Sequence, residues 1–131
     1  MPAQVPLRAS SPSQRRGRLA EDDALARLIA AGHRLIARNF HCRLGEIDLI
    51  TLSRRDVLVF TEVRWRQRDS HGSAADSVTA GKQRRLLATA GVFLARHPDW
   101  REHVMRFDVA AYGGHPPDWQ RRWIRGAFGT R

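Results

Sequence analysis

The sequence predicts a mixed α/β domain in which a β-sheet is flanked by helices, in the order helix, three strands, helix, strand. Three observations predict it. A helical stripe of apolar residues precedes three strand-like segments, a second helical stripe follows them, and one more strand-like segment comes after it. Elements in this order fold into a mixed sheet with helices packed on it. The length of 131 residues suffices for one such domain and is too short for two.

The first helix is predicted from its apolar spacing. Leu25, Leu28 and Ile29 fall on one face of a helix over residues 19–31. Gly32 is placed to end this helix. Glu21 lies four residues before Leu25, so it projects from the buried face at the start of the helix.

Three strands are predicted next, over residues 33–40, 45–52 and 57–65. The third begins with the unbroken apolar run VLVF, which is typical of a strand covered on both faces. Only a short polar turn around residues 54–56 separates the second strand from the third, so these two strands should form an antiparallel hairpin.

A polar loop over residues 66–77 leads to a second helix over residues 80–96, with Thr79 as its N-cap and Pro98 as its stop. Residues 105–112 form the last predicted strand. The segment WQRRWIRGAF near the C-terminus is compatible with either a helix or a strand.

The N-terminal 17 residues contain three Pro, three Ser and several Arg but no acid, which predicts a disordered basic tail before a single domain over residues 18–131. This tail either adds affinity for phosphates or is an extension without a role. The single cysteine excludes an internal disulfide and a Cys-based zinc site. Without a long apolar segment or a signal peptide, a cytoplasmic protein with no membrane contact is expected.

The formal net charge of +10 favours an anionic partner, and nucleic acid is the commonest one. The 23 basic residues are 22 Arg and Lys82, so part of the charge can reflect a codon preference for Arg.

The predicted hairpin brings two acids together. Alternation puts Glu46, Asp48 and Ile50 on one face of the second strand. With three or five residues in the turn, Ile50 lies opposite Phe60, Asp48 opposite Glu62 and Glu46 opposite Arg64. A turn of four residues would instead place Asp48 and Glu62 on opposite faces of the hairpin.

Two opposed carboxylates on an apolar face repel each other, and a bound cation removes the repulsion. Mg²⁺ or Mn²⁺ held by Asp48 and Glu62 could activate a water molecule and neutralise charge on a phosphodiester. The alternative is that Glu46 pairs with Arg64, while Asp48 and Glu62 sit at strand ends in water.

Two residues at the start of the second helix point toward the sheet. Lys82 and Gln83 lie four residues before Leu86 and Leu87 and so extend the apolar stripe. A Lys in the first turn opposes the helix dipole, but it can act on a water or a leaving group. Backbone N–H groups at this end also favour a phosphate. The alternative is a solvated Lys at a helix end.

The segments ARNFHCRLGEIDLI, LVFTEVR, HGSAA, SVTAGKQRRLL and RFDV together resemble the bacterial YraN-like family, which is related to Holliday-junction resolvases. The resemblance covers residues 17–128 and implies a restriction-endonuclease-like fold. Such active sites contain an acid on the first helix, an Asp, and a Glu followed two positions later by Lys. These residues map onto Glu21, Asp48, Glu62 and Arg64.

Arg64 departs from this pattern because it stands where the resemblance implies a catalytic Lys. Arg stays protonated, so it could clamp a phosphate but could not act as a base. Either Lys82 has taken over that role from the helix, or catalysis is weak or absent.

The leading hypothesis is a metal-dependent endonuclease that acts on structured or branched DNA. Asp48 and Glu62 would bind the metal, Glu21 would be a further ligand or position the water, and Lys82 with Gln83 would orient or activate that water. The side chains that could line a nucleic-acid groove are Arg66, Arg68, His71, Arg84 and Arg85. The alternatives are a nucleic-acid-binding module that does not cleave and a protein-interaction scaffold. Resolvase relatives act as dimers on two-fold junctions, which makes a homodimer a further possibility.

Overall fold

The structure is a computed structural model, and it describes residues 12–67 and 78–128. Its elements are α1 (Pro12–Ala30), β1 (Arg34–Cys42), β2 (Gly45–Leu52), β3 (Val57–Arg66), α2 (Ala80–Arg96), a 3₁₀ helix (Pro98–Trp100), β4 (Val104–Gly113) and β5 (Gln120–Phe128). The strands form one sheet in the order β1-β2-β3-β4-β5. Only β3 and β4 run parallel, and the other neighbours are antiparallel. The predicted mixed α/β class is therefore confirmed.

The two helices cover opposite faces of the sheet. Residues of α1 such as Ala24 and Leu28 pack with Leu49 of β2. Residues of α2 such as Leu86 and Phe93 pack on the other face in a second cluster. Both faces of β3 are therefore covered, as its VLVF run predicts, and positions 58–62 of this strand are buried.

The structure differs from the prediction at both ends of the described chain. Helix α1 begins at Pro12, so residues 12–17 are helical, although the sequence assigns them to a disordered tail. Pro suits the first helical position because the N–H that it lacks would have no intrahelical partner there. Residues 1–11 lie outside the described residues.

The C-terminal segment, for which both helix and strand were open, forms the strand β5. Its adjacent residues Trp123 and Ile124 pack against the clusters on opposite faces of the sheet, which is the period of a strand. The predicted order of elements therefore lacks one strand.

The turn between β2 and β3 has the odd length on which the predicted register depends. The backbone N–H of Ser53 donates to the carbonyl of Val57 at 2.8 Å and closes a loop over residues 54–56. Asp56 has φ of 61°, as expected for the last residue of such a three-residue hairpin loop. The register pairs Ile50 with Phe60, as predicted, which brings Asp48 into line with Glu62.

Within residues 12–67 and 78–128, no helix is both long enough and apolar enough to cross a membrane.

Candidate active site

The site forms where β2 changes face at Asp48. Leu49 packs with α1, whereas Ile47 and Ile50 both pack in the cluster under α2. Regular alternation would put Ile47 with Leu49, so the period is interrupted between them. The neighbouring strand β1 is irregular at the position beside Asp48, because Asn39 has a φ of 54°. Strict alternation, from which a shared face of residues 46, 48 and 50 is expected, is therefore interrupted within this segment.

Asp48 uses this irregularity to reach across to β3. The paired ladder between β2 and β3 ends at Leu49 and Thr61. One residue further, the carboxylate Oδ2 of Asp48 accepts a hydrogen bond from the backbone N–H of Val63 at 2.7 Å. This side-chain hydrogen bond takes the place of the next backbone hydrogen bond between β2 and β3. It holds the Asp48 carboxylate beside β3, the strand that carries Glu62.

Lys82 reaches the same site from α2. Its Nζ lies 3.2 Å from Oε1 of Glu62, and Glu62 is only 8% exposed. Thr79 caps the helix by accepting a hydrogen bond from the Lys82 N–H at 3.2 Å, as predicted. The inward direction expected for Lys82 is confirmed, so it is not a solvated residue at a helix end.

The negative charges of the Asp48 and Glu62 carboxylates repel each other. Burial, and next the charge of Glu62, raise the pKa of Asp48 to about 8, against a lowering by the Val63 N–H. Burial also raises the pKa of Glu62, and the main opposing effect is the charge of Lys82. Without a cation, the pair therefore holds a proton to higher pH than two separate carboxylates would.

Glu21 lies at the border of this site. Its charge contributes to the raised pKa of Asp48. Its Oε1, however, accepts from Nε of Arg38 at 2.7 Å, and the same guanidinium also contacts Asp22. Among the described residues, no group of three or more His, Cys, Asp or Glu side chains could hold a metal ion. The geometry therefore offers two carboxylates, with Glu21 paired beside them.

Gln83 is committed elsewhere, because its Nε2 donates to the carbonyl of Val78 at 3.0 Å. Arg64 is half-buried, and its charge lowers the pKa of Glu62. Glu46 is exposed opposite His41, and no ion pair among the described residues joins it to Arg64. Because Glu62 is buried, the alternative in which both strand-end acids lie in water does not fit this geometry.

The residues predicted to line a nucleic-acid groove are only partly described. Arg66, Arg84 and Arg85 are exposed. Arg66 is the last residue of β3, and the other two lie in the first turns of α2. Arg68 and His71 lie outside the described residues.

One contact between α1 and β3 was missed from the sequence. Arg16, in the first turns of α1, lies over the ring of Trp65 at 5.4 Å from its centroid. The indole Nε1 of Trp65 donates to the carbonyl of Gly114 at 2.8 Å, and the ring packs with the α1 core. The sequence feature that could have indicated the early start of α1 is Pro12, which precedes a run of residues that tolerate a helix.

The comparisons with known proteins agree with one another. The family model described as "Uncharacterised protein family UPF0102" matches residues 20–112. A UPF0102 protein from Alcanivorax borkumensis is 50% identical over 116 residues, which cover 86% of this chain and 90% of that protein. One from Pseudomonas putida strain GB-1 is 42% identical over 129 residues, or 98% of each chain. One from Stutzerimonas stutzeri is 44% identical over 118 residues, covering 90% of this chain and 98% of that protein.

This extent of similarity confirms the resemblance to the YraN-like family, and the chain therefore belongs to the UPF0102 family.

Proposed function

We propose that the protein is a metal-dependent endonuclease with a restriction-endonuclease-like fold, which acts on structured or branched DNA. The observation that carries the proposal is the contact of 3.2 Å between Lys82 and Glu62 beside the buried carboxylate of Asp48. An ammonium group next to two carboxylates at the end of a strand pair supplies the charges that hydrolysis of a phosphodiester requires.

The residues present fit a hard divalent cation. Asp48 and Glu62 offer oxygen donors, and burial is the main cause that raises the pKa of each, so a bound cation would favour their charged forms. Mg²⁺ commonly uses one or two protein carboxylates together with substrate phosphates and water. We therefore assign Mg²⁺ or Mn²⁺ to Asp48 and Glu62. When bound, the cation would lower the pKa of a water molecule and neutralise charge on the phosphate.

Arg64 and Lys82 would together fill the roles that one Lys has in related nucleases. Arg64 keeps its proton, so it would hold a phosphate oxygen through its guanidinium donors. Lys82 can exchange a proton, and its Nζ is already within hydrogen-bonding distance of Glu62. Lys82 would therefore orient the attacking water or protonate the leaving oxygen. Glu21 would assist as a positioning group after release from Arg38.

The net charge of +10 supports nucleic acid as the partner. The exposed residues Arg66, Arg84 and Arg85 flank the site and would follow the phosphate backbone, together with Arg68 and His71 of the loop. Gln83 would serve the helix start rather than the water. A homodimer would present two such sites to a two-fold symmetric junction, which sedimentation with and without junction DNA would detect.

One observation favours a second candidate, a nucleic-acid-binding module that does not cleave. The ion pair between Lys82 and Glu62, together with a proton held by the carboxylate pair, would balance the charges of the site without a cation. Such a module would bind DNA in a salt-dependent manner. Its binding would be unchanged or stronger when Asp48 and Glu62 are neutralised.

The test is cleavage of linear, nicked, flapped and four-way DNA by the full chain with Mg²⁺ or Mn²⁺. The matched control is Asp56→Asn, an exposed carboxylate in the turn between the same two strands. The nuclease predicts metal-dependent cleavage that Asp48→Asn and Glu62→Gln abolish and Asp56→Asn leaves intact. Cleavage that survives in both site variants would contradict the proposal, and binding without cleavage would favour the module.

A further inference from the structure

A cavity of about 420 Å³ lies on the face of the sheet that α1 covers, whereas Lys82 meets Glu62 on the face of α2. Side chains from α1, β4, β5 and the segment after α1 line it. The polar and aromatic ones are Arg27, His33, Arg106, Asp108, Trp123 and Arg125. None of them belongs to the candidate active site. Its size falls within the range of small-molecule sites in proteins.

A buried carboxylate organises this cavity. Asp108 is 1% exposed, and its Oδ1 accepts from Nε of Arg106 at 2.8 Å and from the N–H of Gly126 at 3.0 Å. Its Oδ2 accepts from Nη2 of Arg106 at 3.1 Å and from Nε1 of Trp123 at 3.2 Å. A carboxylate buried in this way is costly to desolvate, and here its bonds fix a guanidinium and an indole in the cavity wall.

The remaining charge of the cavity is positive. The Nε atom of Arg27 pairs with Asp23 at 2.9 Å, and Arg106 is neutralised by Asp108. Within the described part of the chain, Arg125 has neither a hydrogen-bond partner nor an ion-pair partner. Its guanidinium therefore contributes a charge and a set of donors that an anion can use.

His33 adds a neutral polar group. Its Nδ1 lies 2.8 Å from Oγ1 of Thr51, which fixes the ring. Burial, and next the charge of Arg106, lower the pKa of His33, so the imidazole is neutral at neutral pH. A neutral imidazole can donate or accept a hydrogen bond, as the edge of a nucleobase requires.

We propose that this cavity binds a nucleoside monophosphate group, with the phosphate on Arg125 and the base against Trp123 and His33. Arginine forks suit phosphate oxygens, and bases stack on an indole whatever their identity. The group can belong to a free nucleotide or to the end of a nucleic-acid strand. The proposal does not depend on nuclease activity, since it uses other residues on another face of the sheet.

Isothermal titration calorimetry of the full chain in EDTA tests the proposal with AMP, adenosine and inorganic phosphate as separate probes. AMP should bind at least about tenfold more tightly than either adenosine or phosphate, because only AMP engages both halves of the cavity. Arg125→Gln should weaken AMP at least about tenfold and leave adenosine unchanged. The matched control is Arg122→Gln, an exposed residue of the same strand that does not line the cavity.

Equal affinities for AMP and phosphate, or an equal loss in Arg125→Gln and Arg122→Gln, would overturn the proposal. Circular dichroism confirms that each variant folds, and Arg125 has no described partner whose loss would disturb the fold. A second titration, with a 5′-phosphorylated oligothymidylate competing against AMP, separates the two sources. Displacement of AMP supports a strand end as the ligand, and AMP binding without displacement supports a free nucleotide. Absence of binding by either probe overturns both.

Discussion

The carboxylate of Asp48 should make the protein less stable as the pH rises, provided that no divalent cation is present. The pKa of Asp48 is about 8 in the folded chain, against an ordinary value of 3.8. Between these two values the folded state holds a proton that the unfolded state has released. The free energy of unfolding therefore falls as the pH increases across this window. Glu62, whose pKa is also raised, changes stability in the same direction.

The expected loss of unfolding free energy follows from the width of the pH range between the two pKa values of Asp48. Each pH unit inside it costs about 1.4 kcal/mol, so the three units from pH 5 to pH 8 cost about 4 kcal/mol. Replacing Asp48 by Asn removes the charge and keeps an oxygen that can accept from the Val63 N–H. Asp48→Asn should therefore raise the free energy of unfolding by a few kcal/mol at pH 8 and change it much less at pH 5.

Urea unfolding at pH 5 and pH 8 in EDTA measures both quantities, with Asp56→Asn as the control for losing an exposed carboxylate. On the proposed function, Mg²⁺ should restore much of the lost stability of the wild-type protein at pH 8, and none of that of Asp48→Asn. The reasoning is refuted if wild-type stability is as high at pH 8 as at pH 5 in EDTA. It is also refuted if Asp48→Asn destabilises the protein at pH 8.

Substitutions at three positions, two in α2 and one at its N-cap, test the chemical role of this helix, its capping and its packing separately. Lys82→Gln should reduce single-turnover cleavage by about 10²–10⁴-fold, and Lys82→Arg should keep the ion pair to Glu62 without restoring the rate; an active Lys82→Arg would exclude proton exchange at this position. Thr79→Ala should cost about 1 kcal/mol of stability in urea unfolding, because the helix loses its N-cap, and an unchanged midpoint would contradict the cap. Phe93 is 1% exposed and meets Phe40 and Phe60 edge to face. Phe93→Ala should cost about 3–5 kcal/mol, and a loss below about 1 kcal/mol would mean that the core collapses around the missing ring.

The local part of the site could be predicted from the sequence. The polar turn between two strand patterns indicated a hairpin, and the observed pairing of Ile50 with Phe60 is the one expected for an odd loop length, which the sequence had left open against a four-residue turn. The position of Lys82 four residues before Leu86 correctly indicated a side chain that points toward the sheet. Both inferences depend on the fixed periods of strands and helices, which hold over short distances regardless of the rest of the fold.

The remaining features depend on contacts between distant segments. The change of face at Asp48 occurs beside a positive φ at Asn39 in the neighbouring strand, and a rule of strict alternation cannot anticipate it. The early start of α1 accompanies the contact between Arg16 and Trp65, a residue of β3. Tertiary packing, more than propensity, stabilises most helices, so a segment rich in Pro and Ser can still extend one.

On the proposed function, the two cations near Glu62 explain how Arg64 can stand where the family resemblance implies a catalytic Lys. Lys82 has the largest effect in lowering the pKa of Glu62, and Arg64 adds a smaller one. Arg64 stays charged at every physiological pH, so it can keep a phosphate-binding charge on β3 while the group that exchanges a proton sits on α2. In this arrangement, replacing the Lys on the strand by Arg removes no essential charge, provided that α2 keeps Lys82 aimed at the sheet. Thr79 caps the helix at the backbone N–H of Lys82, which makes the helix start part of the proposed chemistry.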